Sequence, residues 1–96
     1  QFRIIARQYV DLDGAARMME ECKTSVLSQR MKARGDVPAA HAERDVKASP
    51  EWADYIKKMV DARTAANLKR YQLEYLRMRN SEWVAASANA RHEAKL

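Results

Sequence analysis

The sequence predicts an all-α protein: a long helical hairpin in which a shorter N-terminal helix packs on one very long C-terminal helix, coiled-coil-like and oligomeric. Three observations predict it. Only two glycines and two prolines occur in 96 residues, too few for the many turns of a sandwich or barrel. Alanine, arginine, glutamate, lysine and leucine dominate, a helix-favouring composition. No glycine or proline interrupts the chain after Pro50. A chain of this length is one domain, residues 1–96, and buries a limited fraction of its surface, so efficient packing or a partner subunit is needed.

The N-terminal helix is expected over about residues 12–34, with residues 1–10 either its extension or a separate short element. Phe2, Ile5, Tyr9, Leu12, Ala16, Met19 and Val26 recur at alternating spacings of three and four, interrupted by Lys23. Asp11 or Asp13 is a candidate cap for its start, and Gly14 weakens continuity there. Lys32-Ala33-Arg34-Gly35 supplies basic residues for the last turn and a glycine for the left-handed stop. The Arg34-Gly35-Asp36 adhesion tripeptide falls on this helix stop, where each residue has a local role, and is read as coincidence. A connector follows over residues 35–48, in which Ala39–Lys47 is a candidate helical turn.

The long helix is expected over about residues 49–92. Ser49 offers a hydroxyl to the first-turn amides, Pro50 has its φ already set, and Glu51 and Asp54 place negative charge at the positive end of the dipole. Trp52, Met59, Ala66 and Leu73 recur every seven residues; Tyr55, Ala62, Leu76, Trp83 and Ala90 follow three behind, with Lys69 the one break. This is a packing seam. Leu68, Tyr71, Tyr75 and Met78 make a second stripe on a neighbouring face. A first helix of about 23 residues covers roughly 35 Å, far less than the second, so distal apolar residues, above all Trp83, are left bare. Leu68, Tyr71, Tyr75, Met78 and Trp83 are therefore the expected oligomer interface.

The net charge of +5 is spread over both helical arms, short of the dense stripe that marks a nucleic-acid binder on charge alone. Arg63, Arg70 and Arg77 nonetheless form a row at seven-residue spacing, with Lys69, Tyr71 and Arg79 nearby: a candidate track for a phosphate backbone with a stacking face. The competing reading is a charged edge of the core, neutralised by Glu74. Cys22 is the only cysteine, which excludes an intramolecular disulfide; its place beside the first helix's seam predicts a small buried hydrophobe rather than a nucleophile. His41 and His92 lack a second ligand at metal spacing. The expectation is a protein that is no enzyme, with no catalytic, cofactor or metal site, no small-molecule substrate and no membrane span, in the cytoplasm.

Ala42-Glu43-Arg44-Asp45, Ala48-Ser49-Pro50-Glu51-Trp52 and, further on, Glu82-Trp83 with Arg91 and Glu93 resemble a family of small helical proteins encoded in the early regions of tailed bacteriophages and prophages. The likeness covers about residues 15–95 and includes Glu20-Glu21-Cys22-Lys23-Thr24-Ser25 and Met31-Lys32. Trp52 stands where the family more usually has tyrosine, and no arginine follows Trp83. Family members are mostly of unknown function and often lie beside recombination genes. The resemblance implies an accessory role in DNA recombination or replication, with single-stranded DNA or recombination proteins as partners, in a bacterial host cytoplasm.

Overall fold

The computed structural model describes residues 1–95, with side chains described through His92. The described residues form helices α1 (Phe2–Lys32), α2 (Ala39–Lys47) and α3 (Pro50–Lys95). α1 and α3 are antiparallel partners along their shared length, and the molecule is a rod of 83 × 20 × 17 Å. The expected helical hairpin is what the chain forms.

α1 begins at Phe2 rather than near residue 12, because residues 2–10 continue the three/four repeat and find a surface. Phe2 lies with Leu76, Arg77 and Asn80 of α3, and Ile5 with Gln72, Tyr75 and Leu76. Asp11 and Asp13 are thus mid-helix residues and cap nothing. Gly14 sits within the helix with open space around it. Its cost, roughly 1 kcal/mol relative to alanine, is borne because flanking Leu12 and Ala16 turn toward α3. Ala33 follows the last helical residue, and Gly35 turns the chain at φ 88, its amide bonding the Lys32 carbonyl at 3.1 Å. That is the left-handed stop the sequence predicts.

The connector holds a full helix rather than a single turn. α2 contacts both long helices and buries Ala42 and Val46, closing the base of the hairpin beside buried Trp52. Between α2 and α3, the Ser49 hydroxyl donates to the Val46 carbonyl at 2.6 Å and accepts from the Trp52 amide at 3.3 Å. One side chain therefore ends one helix and caps the next.

The seam lies where the heptads place it. Trp52, Ala66 and Leu73 of α3 and Ile5 and Ala16 of α1 are buried. Ala16 and Ala66 are both completely covered, and small side chains at mid-hairpin let the two backbones approach closely. Tyr55 stacks on Trp52, ring centroids 5.6 Å apart, and its hydroxyl donates to the Met19 carbonyl at 2.6 Å, tying α3 to α1.

Candidate interaction surfaces

The arginine row is not one surface. Arg63, Arg70 and Arg77 share one flank of α3, but each makes different contacts. Arg63 turns inward and is only 30% exposed. Its Nε and Nη2 donate to Glu20 Oε2 and Oε1 at 2.9 and 2.8 Å, and its Nη1 donates to Asp13 Oδ1 at 2.7 Å. Asp13 and Glu20 are one heptad apart on α1, so one guanidinium fork spans two turns of the facing helix. Arg17 also reaches Asp13, at 3.0 Å.

The electrostatics follow the contacts. Hydrogen bonds from Arg63 hold the carboxyls of Asp13 and Glu20 below their ordinary range. The same bonds, to Glu20 first and then to Asp13, raise Arg63 further above its already high value. Arg63, expected as the first phosphate contact, is therefore occupied as the cross-helix clasp.

Farther along, Arg70 lies 3.9 Å from Glu74 and over the Tyr71 ring at 5.4 Å. Arg77 lies over Phe2 at 5.9 Å. Arg79 is on the opposite flank, over Tyr75 at 6.0 Å, with a 3.5 Å hydrogen bond to its hydroxyl. Lys69 occupies a half-buried seam position. The six expected nucleic-acid residues thus divide among the seam, both flanks and the outer face; Arg70 with Tyr71, and Arg79 with Tyr75, are the pairs brought together.

The second apolar stripe is a single surface. Leu68, Tyr71, Tyr75 and Met78 are 55–61% exposed on the side of α3 away from the seam, with Tyr75 also bordering the groove beside Ile5 of α1. Trp83, 68% exposed, is separate: at 100° per residue it lies about 100° around the helix from the stripe's centre. There it continues the α1-binding seam beyond Asn80, the last α3 residue beside Phe2. Residues 2–10 being helical, the bare part of α3 is shorter than a 23-residue first helix would leave.

Cys22 is exposed rather than buried. It lies one position before the seam residue Lys23, and this lysine leaves no apolar neighbour there to cover the thiol. The Arg63 clasp is not among the contacts the sequence predicts, although Asp13 and Glu20 at a seven-residue interval carry its signal. Among the described residues, no group of histidine, cysteine and acidic side chains could hold a metal ion. None of the described helices is long and apolar enough to cross a membrane. Comparison of the chain with family models, curated proteins and solved structures finds no match.

Proposed function

We propose that this chain is a non-enzymatic helical assembly module that acts by presenting the outer face of α3 to another helix. The observation that carries this reading is the stripe of Leu68, Tyr71, Tyr75 and Met78, four large side chains left 55–61% exposed on a helix already partnered on its other side. Consecutive exposed apolar residues at three/four spacing are what a helix-to-helix contact uses. In the phage early-region setting implied by the resemblance, such a module would hold together proteins of DNA recombination or replication.

Light scattering after size exclusion tests it, on wild type and on Tyr71→Glu/Tyr75→Glu. Both tyrosines lie outside the hairpin seam, so the double variant should keep its helicity. Wild type should self-associate with rising concentration and the variant should not; a monomer at every concentration counts against the proposal.

A second reading, contact with single-stranded DNA, is favoured by the pairs Arg70–Tyr71 and Arg79–Tyr75, each a cation beside a stacking ring. Against it, Glu74 stands between Arg70 and the tyrosine stripe, and Arg63 is neutralised by two acids. A gel shift at two salt concentrations decides. Absence of a shift at low salt, where phosphate contacts are strongest, excludes direct binding.

A further inference from the structure

We infer that the occupant of the outer stripe is a second copy of this chain, with its α3 running antiparallel across a twofold axis level with Leu73. This rests on the self-association proposed above and adds its direction and register. Across that axis Tyr71 faces the partner's Tyr75, and Leu68 faces the partner's Met78. Each of the four exposed side chains then meets another large apolar one.

Shifting by one heptad loses this match. One way, Met78 is set against the partner's Asp61; the other way, Glu82 is set against the partner's Tyr71. Burying a carboxylate against an apolar side chain without a partner is unfavourable, so the packing selects the register.

The charges on the same face agree. Beyond the apolar centre, Thr64 faces the partner's Glu82, Asp61 the partner's Ala85, Lys57 the partner's Asn89 and Asp54 the partner's His92. No like charges face each other in these layers, and the outermost places a carboxylate beside an imidazole. Glu74 lies on the flank nearest the axis, where it approaches its own symmetry mate. Arg70, 3.9 Å away in the same helix, offsets that repulsion. Between Asp61 and His92, the outer face and the flank of Glu74 carry Asp61, Glu74 and Glu82 against Arg70 and Arg79. This near balance of charge sets little repulsion between two copies and offers little attraction to a polyanion. The pairing is isologous and closes on itself. The two α3 helices lie side by side along their described length, while each α1 remains on the outside of its own α3.

Spin-label distances in a Cys22→Ser background, read beside light scattering, test the arrangement with labels at Gln72→Cys or Ala53→Cys, both exposed positions outside the stripe. With helix axes ~10 Å apart, labels at 72 should lie within roughly 20 Å of each other. Labels at 53 should be separated by about 60 Å, at 1.5 Å of rise per residue. Short distances at both positions mean a parallel pair and overturn the inference. A displacement of about 10 Å at position 53 marks a one-heptad slip and overturns the register. A dimer by light scattering with long distances at both positions places the contact elsewhere and overturns it, leaving the proposal of self-association standing. A monomeric wild type removes both.

Discussion

Arg63 is the side chain on which the pairing of α1 with α3 most visibly depends, because among the described residues it alone bonds two carboxylates of the facing helix. Replacing it with alanine leaves Asp13 and Glu20 facing α3 without their shared cation. Arg63→Ala should therefore melt at a lower temperature than Arg70→Ala, whose ion pair to Glu74 stays within one helix. The pH dependence has a definite sign. Both carboxyls have folded values depressed below the ordinary 3.8 of aspartate and 4.5 of glutamate. Their stabilisation is complete above those values and is lost as pH falls through the lower folded ones. Acid titration followed by circular dichroism should show wild type losing stability below about pH 4, with a shallower loss in Arg63→Ala; equal slopes would remove the clasp from the account. The Ser49 hydroxyl also has two partners. Ser49→Ala should destabilise by about 1 kcal/mol in urea unfolding, the usual cost of a lost cap.

The elements show which signals reach the sequence level. The start of α3 was legible because capping chemistry is local: Ser49, Pro50 and Glu51 are consecutive, and the cap forms as they imply. The seam was legible because burial imposes a period, and Trp52, Ala66 and Leu73 are buried as that period requires. The start of α1 was not. Gly14 and two aspartates imitate a boundary, and only the surface of α3 near Leu76 shows why the helix continues to Phe2. The arginine row was misleading for a related reason. Seven-residue spacing places side chains on one flank but does not say whether the facing helix carries acids. The same seam makes a packing prediction. Ala16 and Ala66 are fully covered at the middle of the hairpin, so Ala66→Leu must push the helices apart. Overpacking of this kind typically costs 1–3 kcal/mol, so a loss of about 2 kcal/mol is expected by denaturant unfolding. An exposed alanine outside both the seam and the stripe, such as Ala88, should accept leucine with a change of about 0.5 kcal/mol or less. Equal effects at the two sites would mean that the backbones are not closely apposed at Ala66.

At the scale of the whole rod, two apolar regions compete as the place where copies would meet, and the two tryptophans can tell them apart. Trp52 is buried at the base of the hairpin, and Trp83 is 68% exposed on the continuation of the seam past α1. An antiparallel pair joined through Tyr71 and Tyr75 leaves Trp83 about 100° away from the contact. It should then remain in water at every protein concentration. Joining through the bare end of the seam would instead cover it. Trp52→Phe leaves Trp83 as the sole indole. Its emission should stay red-shifted and fully open to acrylamide while light scattering reports association. Trp83→Ala should associate as wild type does, whereas Leu68→Glu should not, since it sets an unpaired carboxylate against the partner's Met78. A blue shift of Trp83 that follows concentration would transfer the interface to the distal seam. The stripe of Leu68, Tyr71, Tyr75 and Met78 would then be available to a different protein, and the twofold register would be lost with it.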